Sequence, residues 1–177
     1  LASVKLWEIG ITDDGIQHLK NLRELQYLDL QNTKITGKGM TFLSRNPRLQ
    51  FLNLSATELS DEGLASICTI PSLQNLSIAF TRVSTAGLSQ LQTLRLRELT
   101  LDGTPATDDT VELLSRHSVD LTSLQLQATL VTDKGLKHLH KLKKLTFVNL
   151  AGSFVTASGV DDLKKAFPKA DIRSDAK

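Results

Sequence analysis

The chain offers few side chains of the kinds that bind metals or act as nucleophiles. His138 and His140 form the only close histidine pair, and the single cysteine is Cys68. Two histidines can share a zinc ion when they lie on the same side of a helix. Their spacing of two residues on a predicted helix points them to different sides. Cys68, which could supply a further ligand, lies about three repeats away from them along the chain. We therefore expect no metal site.

Adjacent acidic residues occur at four places and are candidates for general acid–base catalysis. They are residues 13–14, 61–62, 108–109 and 161–162. Each pair falls at or near the predicted start of a helix, where negative charge is stabilised by the helix dipole. The chain contains no G-x-S-x-G, Walker or dinucleotide-binding motif. We expect no catalytic residue, no cofactor and no enzyme activity.

Composition excludes several classes of partner. The chain has 177 residues and a formal net charge of +2, so no general attraction to nucleic acid is expected. It has no apolar run long enough to span a bilayer and no pair of cysteines for a disulfide. We expect a cytoplasmic protein that binds no nucleic acid, with Cys68 as a buried structural thiol.

A phrase of 23–25 residues occurs seven times along the chain. The clearest copies begin at Leu25, Leu49 and Leu121 and read LQYLDLQNTKITGKGM, LQFLNLSATELSDEGL and LTSLQLQATLVTDKGL. A fixed period of this length is typical of a solenoid, in which each unit buries its apolar face only against its neighbours. We number the positions of each repeat from its first leucine: Leu1, Leu25, Leu49, Leu73, Leu96, Leu121 and Leu145.

Positions four to nine of each repeat predict a short strand followed by a turn. Positions four and six are aliphatic in every repeat, which is the alternation of a strand with one buried face. This predicts strands at about 26–30 in the second repeat and 122–126 in the sixth. Position nine is Thr or Ser in six repeats. An inward hydroxyl there, stacked on its copy in the next repeat, can satisfy backbone groups where the chain leaves the strand.

Positions 12 to 15 predict the start of a helix. Position 12 is Ser or Thr in every repeat, as preferred at an N-cap, and position 13 is Asp in four repeats. Position 15 is Gly in six repeats, with Thr110 as the exception. Because glycine destabilises helices, its recurrence suggests that the helix start packs closely against the strand behind it. Each repeat is predicted as strand, hydroxyl turn, capped short helix and return.

The motif L-x-x-L-x-L-x-x-T-x-[ILV]-[ST]-D-x-G-L resembles the leucine-rich repeat family over essentially the whole chain. Its Thr at position nine and its ITDxGL-type helix start are similar to repeats of bacterial, planctomycete-type proteins and, without their cysteines, of F-box proteins. The resemblance implies an α/β fold, a right-handed β/α solenoid or horseshoe with a parallel concave sheet and short convex helices. Helical crossovers between the strands independently predict a parallel sheet.

The repeats leave no gap for a second domain. We expect one domain with repeats at about 1–24, 25–48, 49–72, 73–95, 96–120, 121–144 and 145–168. A C-terminal cap at 169–177 follows, in which Ile172 supplies part of an eighth strand. Because Leu1 is already a consensus position, we expect a longer chain, or another cover on the first strand. The protein is expected to be a monomer or part of that longer chain.

Positions three, five, seven and eight are expected to project from the concave sheet. The candidate partner-binding residues there are four aromatic anchors and four polar residues: Trp7, Tyr27, Phe51 and Phe80, with Asp29, Gln31, Asn53 and Ser55. Exposed aromatic rings among uncharged polar groups are typical of the centre of a protein interface. The alternatives are that aromatic residues simply favour strands, or that Trp7 seals the open end of the sheet.

Residues 134–144 carry five lysines and two histidines. Leucines take the predicted apolar stripe, which leaves the charges outside. The possible anion-binding residues are Lys134, Lys137, Lys141 and Lys144. Such a face suits phosphate, acidic protein or membrane headgroups, although a solvated convex face is the simpler interpretation.

These features predict a non-catalytic module that binds a protein or peptide through its concave face. One alternative is the substrate-recognition arm of a ubiquitin-ligase-like assembly or of a bacterial effector. A weaker alternative is binding of a polyanion or an anionic membrane through residues 134–144.

Overall fold

A single parallel sheet runs through the computed structural model, which describes residues 1–176. Its strands are β1 (Ser3–Lys5), β2 (Tyr27–Asp29), β3 (Phe51–Asn53), β4 (Asn75–Ser77), β5 (Glu98–Thr100), β6 (Ser123–Gln125), β7 (Phe147–Asn149) and β8 (Asp171–Arg173). Each strand pairs in parallel with the next one along the chain. The expected β/α solenoid and the eighth strand at Ile172 are confirmed. The strands are shorter than predicted, because only positions three to five pair as strand.

Short helices connect the strands in the described part of the chain. The α-helices are α1 (Asp13–Ile16), α2 (Asp61–Ile67), α3 (Thr85–Leu88), α4 (Asp108–His117), α5 (Asp133–Leu139) and α6 (Ala157–Ala166). The 3₁₀ helices span Gln17–Asn21, Met40–Arg45 and Ser89–Thr93. The predicted N-caps are confirmed at Ser60, Ser84 and Thr156, where the hydroxyl accepts a bond from the glycine N–H three residues later. Thr12 makes no such bond.

Columns of aliphatic side chains form the core. The position-four residues of neighbouring strands are directly paired, as in Leu28 with Leu52 and Leu52 with Leu76, and all three are buried. Full burial of one such side chain contributes roughly 1.5–3 kcal/mol. Each repeat therefore depends on the next one to cover its leucines.

The hydroxyl at position nine satisfies a buried carbonyl of its own repeat. Thr33 Oγ1 donates to the carbonyl oxygen of Leu30, three residues earlier, at 2.7 Å. The same bond is made by Thr33, Thr57, Thr81, Thr104, Thr129 and Ser153. The predicted backbone role is confirmed, and the bond lies within one repeat.

Position eight adopts a left-handed backbone in all seven repeats. Its φ lies between 52° and 69° at Glu8, Asn32, Ala56, Phe80, Gly103, Ala128 and Gly152. Its N–H continues the parallel ladder beyond the strand: Phe80 N donates to the Asp102 carbonyl at 2.7 Å. In the seventh repeat Asp175 Oδ1 replaces that carbonyl and accepts from Gly152 N at 2.9 Å. Position eight thus lies in a turn past the strand, and the expectation that it projects from the sheet is wrong.

The aspartate at position 13 joins its repeat to the next one. Asp61 accepts hydrogen bonds from Ser84 N at 2.7 Å and from Ser84 Oγ. The equivalent bridges run from Asp13 to Thr36, from Asp108 to Thr132 and from Asp133 to Thr156. The sequence predicted only a helix-dipole role for these carboxylates. The structure adds a charge-assisted bond between repeats.

Glycine at position 15 makes room for this carboxylate. A methyl group on Gly87 would overlap the Asp61 carboxylate. The same close approach recurs in two other pairs, Gly135 with Asp108 and Gly159 with Asp133. Where the fourth repeat has Thr85 in place of the aspartate, the fifth has Thr110 in place of the glycine. At Gly87, Gly135 and Gly159 the glycine therefore packs against the preceding repeat's carboxylate, and not against the strand behind it as expected.

The second repeat departs from the predicted capped α-helix. Gly37 and Gly39, at positions 13 and 15, have φ of 82° and 77°, so a helix begins only at the 3₁₀ segment Met40–Arg45. With no aspartate at position 13, the Thr36 carbonyl accepts from Ser60 N at 3.1 Å and provides the link to the third repeat. A side chain at Gly63 would overlap this carbonyl. A neutral backbone contact thus replaces the charged bridge.

The pairing of Asp61 with Gly87 can be tested by a double-mutant cycle. Gly87→Ala should lower the free energy of unfolding by about 1–3 kcal/mol, because the methyl group displaces the carboxylate. Asp61→Ala should cost about 1.5–3 kcal/mol through loss of its charged hydrogen bonds. In the double variant we expect a coupling of at least about 0.5 kcal/mol, measured by urea unfolding, since the clash has been removed.

Gly10→Ala is the matched control, because a methyl group there meets no atom within 4 Å. Strictly additive effects of the two substitutions would contradict the pairing.

Candidate partner-binding surface

Tyr27 and Phe51 form an aromatic stack on the concave face. They occupy position three of neighbouring repeats and are paired directly across β2 and β3. Their ring centroids lie 4.1 Å apart with the planes at 4°, and both side chains are half-buried. Lys5 Nζ lies over the Tyr27 ring, 5.5 Å from its centroid. Two of the predicted anchors therefore form a single aromatic surface.

Asp29 holds the Tyr27 hydroxyl and the strand end together. The Tyr27 hydroxyl donates to Asp29 Oδ2 at 3.4 Å, and Asp29 Oδ1 accepts from Gln31 N at 3.1 Å. Burial, the nearby Asp29 charge and this hydrogen bond raise the pKa of Tyr27 above its ordinary value. The phenol is therefore a neutral hydrogen-bond donor at physiological pH.

The other predicted polar residues contact one another. Asn53 Nδ2 donates to Gln31 Oε1 at 3.1 Å, and Asn53 Oδ1 accepts from Ser55 N at 3.0 Å. The hydroxyls of Ser55 and Ser77 lie 2.6 Å apart. Asp29 and Asn53 thus fix the turn after the strand, a structural role that the sequence interpretation missed. An Asp or Asn whose side-chain oxygen accepts from the backbone N–H two residues later is typical of such a turn, and this residue type could have indicated it from the sequence.

Trp7 and Phe80 lie apart from the stack. Their side chains are 50% and 60% exposed and sit at positions seven and eight, beyond the strand ends. Phe80 is the one aromatic residue in a left-handed backbone within residues 1–176, and its ring lies against Gly103, where a side chain would clash with it. The eight predicted residues therefore divide between the sheet and the turn that follows it.

We call the turn formed by positions seven to ten the strand-exit rim. The large hydrophobic side chains that are exposed in the described chain fall mainly on this rim: Trp7, Ile9, Phe80, Leu130 and Phe154, with only Leu1 and Val119 elsewhere. Ile9, Leu130 and Phe154 were not predicted as binding residues. The signal that could have indicated them is their apolar type, since position nine is Thr or Ser in the other six repeats and position ten is charged in three.

Comparison with known proteins bears on the fold. Residues 21–44 and 45–68 match the family described as Leucine Rich repeat. The chain folds as a leucine-rich repeat solenoid. Internalin C2 of Listeria monocytogenes str. 4b F2365 is similar at 23% identity with a TM-score of 0.72, covering 98% of this chain and 73% of that chain. The internalin inlF of the same strain is 20% identical with a TM-score of 0.62, covering 100% of this chain and 56% of that one.

These two similarities show the fold alone, because both identities are low. No curated protein matches the sequence closely enough to count as a relative. Within residues 1–176, no helix has both the length and the apolar character needed to cross a bilayer.

The lysines on the convex side of the solenoid differ in their surroundings. Lys134, Lys137 and Lys141 are exposed and make no ion pair among the described residues. Lys144 Nζ, in contrast, is paired with Asp120 Oδ1 at 2.5 Å, and this pairing lowers the pKa of the Asp120 carboxyl. Of the four predicted anion-binding lysines, three therefore make no ion pair among the described residues.

The histidine, cysteine and acidic side chains do not cluster into a metal site among the described residues. Across residues 1–176 no group of three or more His, Cys, Asp or Glu side chains could hold a metal ion. His140 packs edge-on to Phe167, with ring centroids 6.1 Å apart. Cys68 is half-buried, less enclosed than expected.

Burial raises the pKa of the Cys68 thiol to about 11, against a smaller opposing effect of its hydrogen bond with Thr93. We expect iodoacetamide at pH 8 to alkylate the folded protein far more slowly than the urea-unfolded chain, because the thiolate is the nucleophile. Since the folded pKa lies above the unfolded value of 9.0, the stability linked to this group is complete below pH 9 and is lost as the pH rises towards 11.

Urea unfolding between pH 8 and 11 checks the second expectation, with Cys68→Ala as the variant that lacks this pH dependence. Equal alkylation rates for folded and unfolded protein at pH 8 would contradict the assignment.

Proposed function

We propose that this chain is a non-catalytic module that binds a protein or peptide partner through its concave face, with the Tyr27–Phe51 stack at the centre. The stack supports this proposal most directly, because it places two adjoining aromatic rings on a face that packing of the core does not require. Aromatic side chains with a polar handle are enriched at the energetic centres of interfaces.

The polar residues around the stack support the same proposal. Gln31, Asn53 and Ser55 are fixed by hydrogen bonds to one another and to the backbone. A surface that is ordered before binding loses little conformational entropy when a partner docks. Asp29, Gln31, Asn53 and Ser55 would orient the partner, while Trp7 and Phe80 would extend the contact beyond the strand ends.

Several finer features belong to this proposal. We place the protein in the cytoplasm, as a single domain of seven repeats that is monomeric or part of a longer chain, and without a catalytic centre. The similarity of its Thr-type repeats to planctomycete-type and F-box proteins remains a prediction. A role as the substrate arm of a ubiquitin-ligase-like assembly or of a bacterial effector requires a further domain, and identification of such a domain would favour it.

A second candidate is polyanion or anionic-membrane binding through the convex side. It is supported by Lys134, Lys137 and Lys141, which are exposed, spaced by three and four residues along α5 and its end, and free of ion pairs in the described chain. Three lysine contacts to a polyanion would give an affinity that falls steeply as the salt concentration rises.

The concave-face proposal predicts the effect of removing the stack. Partners are captured from a lysate of the source organism with the wild-type protein, and their affinity is then measured by calorimetry. Tyr27→Ala or Phe51→Ala should each weaken binding by about 1–3 kcal/mol, because central aromatic anchors dominate interface energies. Thermal unfolding monitored by circular dichroism should show that both variants remain folded.

Phe147→Ala is the matched control: Phe147 also occupies position three and is half-buried, but lies at the other end of the sheet beneath Arg173. It should bind as the wild type does. An unchanged affinity in the Tyr27→Ala/Phe51→Ala double variant would exclude the stack as the binding centre.

The convex-side candidate predicts binding of heparin, used as a model polyanion, at low ionic strength. The affinity should fall linearly with salt on a logarithmic plot, and Lys137→Ala/Lys141→Ala should reduce the slope by about 2, one for each lost contact. Lys144→Ala, which removes an already paired lysine, is the control. No heparin binding in low salt would eliminate this candidate.

A further inference from the structure

The strand-exit rim of the first four repeats forms a continuous groove. Its cavity of about 530 Å³ is lined by Ile9, Asn32, Ala56 and Phe80, among others. Along the axis of the solenoid, the short side chains of Asn32 and Ala56 lie between the two large apolar ones. The groove therefore has a shallow floor and an apolar residue at each end.

Phe80 is held in this groove at an energetic cost. Its φ of 54° is a conformation that glycine adopts freely and a large side chain adopts only with strain. The equivalent position in the fifth and seventh repeats is Gly103 and Gly152. Packing does not require the ring, since 60% of its surface is exposed. Because the positive φ is common to position eight of every repeat, Phe80 differs from its equivalents in carrying a large apolar ring there, and an exposed ring without a role in the core points to a functional role at the surface.

Charges of alternating sign follow the groove. Glu8, Lys34, Glu58 and Arg82 line it in the order of the repeats, one from each. None of the four makes an ion pair within residues 1–176. A partner that lies along the groove would be complementary if it placed a charge of opposite sign next to each of these four side chains.

The spacing of the repeats identifies the shape of that partner. The N–H groups of Glu8, Asn32 and Ala56 continue the strand ladder at 2.8–3.0 Å, so these residues keep the strand spacing of about 4.8 Å. An α-helix parallel to the solenoid axis presents one residue per turn, every ~5.4 Å, and nearly matches this spacing. An extended strand presents same-side residues every ~6.7 Å and does not.

We propose that this groove binds an amphipathic α-helix of a protein partner. An apolar side chain of the helix rests on Ala56 between Ile9 and Phe80, and its flanking turns carry charges opposite to Lys34, Glu58 and Arg82. The proposal rests on the proposed function as a recognition module, and it assigns the partner's binding segment to the rim in addition to the concave sheet.

The experiment uses a phage-displayed library of helical peptides of about 16 residues, randomised along one face, selected against the wild-type protein. Recovered peptides should carry an apolar residue flanked by acidic and basic residues one turn apart. Their affinity should fall at least ~10-fold for Phe80→Gly, because an interface anchor is lost. The thermal midpoint of Phe80→Gly should equal or exceed that of the wild type, since glycine relieves the strain.

Two further variants make the result decisive. Arg82→Glu should weaken binding, and a peptide with its facing acidic residue changed to lysine should restore it. Phe154→Ala, a substitution of an exposed rim residue outside the groove, should bind like the wild type. Recovery of no helical peptide, or equal affinity for the wild type and Phe80→Gly, would overturn the proposal. Peptides that depend on Tyr27 and Phe51 but not on Phe80 would also overturn it, while leaving the concave-face function intact.

Discussion

No repeat of this protein can bury its own leucines. A strand of three residues and a helix of one to three turns enclose their apolar face only when the next repeat covers it. The columns at positions four and six, and the ladder of backbone bonds that joins each strand to the next, both express this dependence. The residues that do not belong to these columns form the surfaces. They are the positions between the columns on each strand and the turn that follows the strand.

Much of this architecture could be predicted from the sequence, because columns and caps recur at fixed positions within one repeat. The relation between Asp61 and Gly87 was missed because it joins two repeats and appears only when they are stacked. The left-handed turn at position eight was missed for a different reason. The residues there range from Glu to Phe, and only Asn32, Gly103 and Gly152 are of types that favour a positive φ.

The candidate site was predicted unevenly. Tyr27 and Phe51 could be paired because equal positions in adjacent parallel strands must be neighbours. Asp29 and Asn53 were expected to contact a partner, but their carboxylate and amide oxygens first satisfy backbone N–H groups of the turn. Phe80 was expected to be exposed. Its position on the rim depends on a positive φ, which a phenylalanine in the sequence does not indicate.

The four aspartate bridges couple the repeats unequally. They join the first repeat to the second, the third to the fourth, the fifth to the sixth, and the sixth to the seventh. At the two remaining junctions this place holds neutral bonds, Ser60 N to the Thr36 carbonyl and Thr85 Oγ1 to the Pro105 carbonyl at 3.4 Å, and the exposed Lys38–Glu62 ion pair adds a charged contact at the first of them. Charge-assisted bonds are roughly twice as strong. The backbone ladder and the leucine columns run through all six junctions, so the charged bridges at four of them add to a cohesion that is already continuous along the solenoid.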